Sequence, residues 1–214
     1  MKDENLEYLE RNFLTAESVA AETEITVEEL NRLIEEGRVP GASYAVKNEL
    51  KITSPLGDAY DVCSETRYFP KPFPVLVSRV LAGDFDTESL FAELENNLDR
   101  HPDKSFAYEN AEGDSEKTKA ALDAEIAAFL KGIYGICTLN QTPEEIIEKE
   151  IAVKKLIAWK DNGEAGDDDL IARVGAYDRV SALFAPYQRE TSSRGKYVDS
   201  SLKKIGRDDL IKKY

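Results

Sequence analysis

A chain of 214 residues with 42% hydrophobic and 33% charged content has the balance of a globular protein, long enough for one good core or one core plus a small appended module. Its formal net charge of −14 disfavours nonspecific contact with nucleic acid or anionic lipid, and no apolar run approaches the ~18 residues of a membrane span. The opening MKDENLEYLE is acidic and lacks the apolar stretch of a secretory signal, so a cytoplasmic location with no membrane partner is expected.

Leu6, Leu9 and Phe13 recur at helical spacing and predict a short first helix. Thr15 is placed to cap a second helix containing Val19 and Ala20. Thr26 with Glu29 has capping-box spacing, and Val27, Leu30, Leu33 and Ile34 form the apolar stripe of a third helix that Gly37 ends. Val39-Pro40-Gly41 cannot continue it. Ser43 to Val46 and Lys51 to Thr53 are then expected to pair as a small hairpin around Lys47-Asn48-Glu49. Ser54-Pro55-Leu56-Gly57-Asp58 reads as a linker, which puts the boundary between a module of residues 1–56 and a helical domain of residues 57–214 near it.

The three prolines of Tyr68-Phe69-Pro70-Lys71-Pro72-Phe73-Pro74 enforce an extended approach to a helix from about Pro74 to Leu81, stopped by Gly83. Thr87 is expected to cap the next helix, with Leu90, Phe91, Leu94 and Leu98 on its inner face and His101-Pro102 as its break. Residues 109–117 read as a polar loop. A longer helix follows to Leu130, and Lys131 to Cys137 either extends it or forms a buried connector. Thr142-Pro143-Glu144-Glu145 combines an N-cap threonine, a proline at the first helical position and a glutamate at the third, the clearest start signal in the chain. Its helix is expected to run to Lys160, with Asn162-Gly163 as its cap. Asp167 is expected to cap another helix, with Leu170, Ile171, Val174, Tyr177, Val180, Leu183 and Phe184 along it and Pro186 at its end. Residues 187–214 carry eight Lys or Arg against four acids, a local +4 that leaves −18 for the rest of the chain.

Residues 13–46 thus read as helix, turn, helix and wing. In Leu14-Thr15, Val19-Ala20, Ile25, Val27, Leu33-Ile34, Gly37-Arg38 and Val39-Pro40 the stretch resembles the winged helix-turn-helix of MerR-type and excisionase-type proteins. The resemblance implies that fold for the module. The second helix of the motif, however, carries Glu28, Glu29, Glu35 and Glu36 against Arg32 alone, a net of −3 where a DNA reader needs cations to displace phosphate counterions. The full chain also resembles an uncharacterised family of bacterial proteins labelled natural product biosynthesis proteins. That likeness lies in the FLT…IEEGRVPGASY block, in Arg67-Tyr68-Phe69-Pro70, and in Tyr134-Gly135-Ile136-Cys137 leading into Thr142-Pro143-Glu144. The label implies a genomic neighbourhood more than a reaction, and it carries over no catalytic residue.

Chemistry-bearing signals are few. His101 is the only histidine, which removes His-His metal pairs, and its place after a helix suits a capping or surface role. Cys63 and Cys137 have no CxxC partner and are expected as buried free thiols; a Cys137 and His101 thiol and base pair requires the fold to bring them together. Asp167-Asp168-Asp169 is expected to complement a helix dipole rather than hold a cation, and Ser192 to Lys196 lacks the spacing of a phosphate loop. The basic terminal segment is expected to dock on the acidic body.

The expected architecture is mainly α, a small N-terminal winged helix-turn-helix-like module with a short β-hairpin packed on a helical C-terminal body. The leading functional expectation is a non-enzymatic accessory or regulatory protein whose module contacts a protein partner, without cofactor or metal. A DNA-binding regulator is the alternative, with Arg32, Arg38, Lys47 and Lys51 as its contacts; a small-molecule binder or enzyme is another, with a pocket at Tyr68, His101, Tyr134 and Cys137.

Overall fold

The structure is a computed structural model that describes residues 3–108, 115–162 and 166–214. It is mostly helical, with one small three-stranded antiparallel sheet. Helix α1 (Glu4–Asn12) starts where the Asp3 carboxylate accepts from the Asn5 and Leu6 amides, and it ends as Phe13 turns into strand β1 (Phe13–Thr15). Thr15 caps α2 (Ala16–Glu22) through Ser18, and Thr26 caps α3 (Val27–Glu35) through Glu29. Leu30 and Leu33 of α3 are fully buried; each contributes about 1.5–3 kcal/mol of burial free energy.

The hairpin departs from expectation in size and register. Ser43 to Thr53 does not fold back at Lys47-Asn48-Glu49. Tyr44 to Thr53 is one strand, β2 (Tyr44–Thr53), and its partner is β3 (Ala59–Pro70), paired from Tyr44 opposite Tyr68 to Thr53 opposite Ala59. The segment expected as a linker, Ser54 to Asp58, is the turn that joins them, closed by the Gly57 amide donating to the Ser54 carbonyl at 3.0 Å. Alternation along Val46, Asn48, Leu50 and Ile52 outweighs the polar Lys47-Asn48-Glu49 triplet, because a strand presents every second residue to one side. Strand β1 pairs with the far end of β3, Phe13 opposite Pro70, so the sheet order is β1, β3, β2.

Helices α4 (Phe73–Ala82) and α5 (Thr87–Arg100) follow, the latter capped by Asp86 and Ser89 reciprocally rather than by Thr87. Helix α6 (Ser115–Leu130) takes in residues 115–117 of the expected loop, whose other residues lie outside those described, as does the Gly163 cap. Helix α7 (Ile133–Cys137) is set off from α6 by Gly132 at φ 78°, and α8 (Pro143–Asn162) begins at the predicted Thr142 cap. Helix α9 (Asp167–Val180) carries its three aspartates in its first turn and stops short of the expected Leu183 and Phe184, because Ser181 is already extended and Phe184 takes φ 65°, outside the helical range. The chain ends in α10 (Pro186–Arg189), a π-helical stretch Arg194–Asp199, and α11 (Ser200–Lys204).

One apolar cluster joins Leu30, Leu33 and Val39 to Phe69, Phe73, Leu122, Phe129 and Ile146, so residues on both sides of position 56 share a core. The approach is tight. The Gly41 amide donates to Leu130 at 2.9 Å, the Ser43 hydroxyl to Gly132 at 3.0 Å, and Tyr44 to the Gln188 side chain at 2.7 Å. A second cluster, with Leu156, Trp159, Leu170, Tyr177 and Leu202, packs α8, α9 and α11. Among the described residues no helix is long and apolar enough to cross a membrane.

Candidate functional site

The outward face of α3 is built by the helical period itself: burying Leu30 and Leu33 turns Glu28, Arg32, Glu35 and Glu36 to solvent. Its one cation is spoken for. Arg32 donates from Nε and Nη2 to the two carboxylate oxygens of Glu29 at 3.1 and 2.5 Å, and it lies 3.9 Å from Glu36. The guanidinium holds Glu29 below the usual carboxylate range, and the two glutamates raise Arg32 in turn. Two of the other three cations expected at a DNA surface are likewise shared, and the third has an acid opposite it in the strand register. Arg38 stands 3.8 Å from Glu36 and donates to the Val80 carbonyl, Lys47 stands 3.7 Å from Glu65, and Lys51 faces Asp61 across the hairpin.

The hairpin beside this face is two-sided. Along one side run the cross-strand pairs Tyr44 and Tyr68, Val46 and Thr66, Asn48 and Ser64, Leu50 and Val62, Ile52 and Tyr60, with no charge among them. Along the other run Ala45 and Arg67, Lys47 and Glu65, Glu49 and Cys63, Lys51 and Asp61. At its base the uncharged side is core: Tyr44 and Tyr68 pack with Tyr8, Phe13 and Ala185, and burial pushes the Tyr44 phenol far up. Farther out the same side leaves the body bare, with Leu50 and Ile52 each 63% exposed, Tyr60 65% and Leu56 at the turn 93%. Cys63 is exposed on the charged side, which corrects its expected burial: its strand overhangs the body.

Of Tyr68, His101, Tyr134 and Cys137, expected around one pocket, Tyr134 and Cys137 share α7 and one apolar cluster, Tyr68 lies in the cluster under the hairpin, and His101 stands at the end of α5. Tyr68 belongs to the core under the hairpin. His101 follows α5 as its C-cap, and its Nδ1 accepts from the Asp103 amide at 3.0 Å. Cys137 is buried at the end of α7, next to the phenol of Tyr44. Tyr134 donates its hydroxyl to Glu125 on α6. Nothing in the sequence marks that carboxyl, which is one glutamate of a charged helix. Burial raises it to about 7, with the nearby Glu150 adding to the rise while Tyr108 and Lys149 oppose it.

A cleft of about 580 Å³ opens between α4, α5 and the start of α8. Its rim holds the Arg79 and Glu93 ion pair at 3.3 Å together with Asn96, Asn97 and Asn140. Glu145 orders that rim by accepting from the Asn140 amide and side chain, both at 2.6 Å, so the predicted capping glutamate reaches two residues beyond its expected partner. Among the described residues no group of three or more His, Cys, Asp or Glu side chains is placed to hold a metal ion.

A family described as a family of unknown function (DUF6058) matches residues 87–206, more than half of the chain, from α5 through the C-terminal helices. No curated protein and no solved structure matches the chain.

Proposed function

We propose, for a chain that belongs to the family of unknown function DUF6058, a non-enzymatic accessory or regulatory role in which the N-terminal unit contacts protein rather than DNA. The succession of α1, β1, α2, α3, β2 and β3 supports reading that unit as a winged helix-turn-helix, with the β2 and β3 hairpin as its wing. The observation that carries the reading is the sign of the outward face of α3. Glu28, Glu35 and Glu36 lie there beside an arginine already paired with Glu29, which repels phosphate where a DNA reader attracts it. The bare apolar side of the wing adds the kind of surface that protein partners cover.

A titration of labelled duplex DNA at low ionic strength tests the reading. No binding at micromolar protein is expected. Tight binding that weakens steeply with added salt overturns it, because such a slope counts released phosphate counterions.

A second reading, a small polar ligand in the cleft between α4, α5 and α8, is favoured by the carboxamides of Asn96, Asn97 and Asn140 on its rim.

A further inference from the structure

We propose that two copies of this chain join through β2, paired antiparallel about a twofold axis at Leu50, so that the two wings form one sheet in the order β3, β2, β2, β3. The inference rests on the reading that the N-terminal unit contacts protein, and it names a second copy as the partner.

Strand β2 stands at the end of the sheet order, and among the described residues no strand pairs with its outer row of backbone donors and acceptors. Its pairing with β3 runs without a bulge from Tyr44 to Thr53, and it contains no proline, so two of the devices that blunt a free edge are absent from it. Lysines on an edge ordinarily repel a second strand. Here Glu49 stands between Lys47 and Lys51 on the same side, and that spacing makes the edge complementary to itself. With Leu50 on the axis, Lys51 of each copy lies opposite Glu49 of the other, and the two Leu50 side chains meet. Moving the axis to Glu49 sets glutamate on glutamate and Lys47 on Lys51, so charge selects the register. The outer edge of β3 offers no such match: Asp61 and Glu65 make it acidic, and Arg67 is held by Asn31 of α3.

The same register accounts for the apolar overhang. It lays the tip of each wing, with Ile52, Leu56 and Tyr60, beside the base of the other wing. There Tyr44 lies buried with its hydroxyl on Gln188 of α10, whose neighbour Tyr187 is exposed. A molecule of net charge −14 repels its copy over most of its surface, so the contact falls where charge is absent or alternates.

Sedimentation of the full chain over a micromolar concentration series, with charge variants, decides the matter. Wild type is expected to dimerise. Glu49→Lys opposes lysines at both ends of the axis, and Lys51→Glu opposes glutamates; each is expected to weaken the dimer about tenfold, from two lost cross-strand pairs. The doubly exchanged Glu49→Lys/Lys51→Glu chain is expected to regain it, and an equimolar mixture of the two single variants is expected to form the mixed dimer. A wild type that stays monomeric, a Glu49→Lys chain that dimerises like wild type, or an exchange that fails to restore association overturns the proposal. A monomer that still ignores DNA overturns the twofold pairing and leaves protein contact standing, whereas salt-dependent DNA binding removes the reading beneath it.

Discussion

Arg194 donates to Asp178 at 2.5 Å with its guanidinium only 1% exposed, over the ring of Tyr177 and between the carbonyls of Ser181 and Ala182. The pair ties the π-helical stretch to the end of α9, and Lys212 adds a second cation to Asp178 at 3.2 Å. Arg189 repeats the device by gripping Asp199 with two nitrogens while bonding the carbonyls of Leu183 and Lys212. The basic C-terminal segment is thus docked by specific pairs on and beside α9.

Removing one member of such a pair strands the other. Arg194→Met is expected to cost about 3 kcal/mol, the lower part of the range for broken buried pairs because Lys212 still serves Asp178. Thermal unfolding should show a loss of roughly 6–12 °C for a chain of this size. Adding Asp178→Asn to that variant should recover part of the loss, and a double-mutant cycle measures the coupling.

Gly135 of α7 lies against the N-terminal unit. A Cβ there would stand 2.1 Å from the Ser43 hydroxyl, 2.8 Å from Gln141 Nε2 and 2.9 Å from a Pro70 ring carbon. Gly135→Ala is therefore expected to destabilise the chain by about 1–3 kcal/mol through overpacking. Hydrogen exchange should report faster opening at Ser43 and along β1 before α9 is affected. Uniform acceleration through α9 would show that the two parts do not separate at this seam.

Glu125 gives stability a pH dependence of known sign. Its folded value of about 7 lies above its ordinary 4.5, so the folded state holds the proton more tightly. The neutral carboxyl costs nothing below the ordinary value, and the penalty grows as pH rises from there through 7. Glu125→Gln keeps an acceptor for the Tyr134 hydroxyl and removes the charge. It is expected to match wild type near pH 4 and to exceed it by on the order of 2–3 kcal/mol near pH 8. Paired denaturant titrations at the two pH values check this; a difference that does not change with pH refutes it.

The start of α8 is held by Thr142, whose hydroxyl accepts from the Glu145 amide at 3.2 Å, and by Glu145 reaching back to Asn140. Thr142→Ala should cost about 1 kcal/mol, as lost caps do. Glu145→Ala should cost more, because it also frees the Asn140 side chain; chemical denaturation of both variants ranks them.

Local signals were legible where a few neighbouring residues decide the outcome. Thr15, Thr26 and Thr142 cap the helices that the sequence assigned them, since a cap is a contact across three residues. The stripe of Leu30 and Leu33 fixed which way α3 faces, and with it the acidic outward surface. The hairpin shows where local reading ends. Lys47-Asn48-Glu49 and Ser54 to Asp58 both read as breaks, and pairing with β3 chose the second, because ten residues in register outweigh a local turn preference. Of Tyr68, His101, Tyr134 and Cys137, only Tyr134 and Cys137 are neighbours by spacing along one helix; where Tyr68 and His101 stand depends on packing between distant segments.

By itself the sequence determined a mainly helical chain, its principal helix starts, and the negative sign of one helix face, all properties set by spacing along the chain. Only the tertiary structure decided that β3 joins β1 to β2, that Glu125 is driven toward neutrality, that Arg194 is buried against Asp178, and that the apolar side of the hairpin is left bare. Those depend on which distant segments exclude water from one another, and exclusion of water is a property of the packed chain rather than of any window within it.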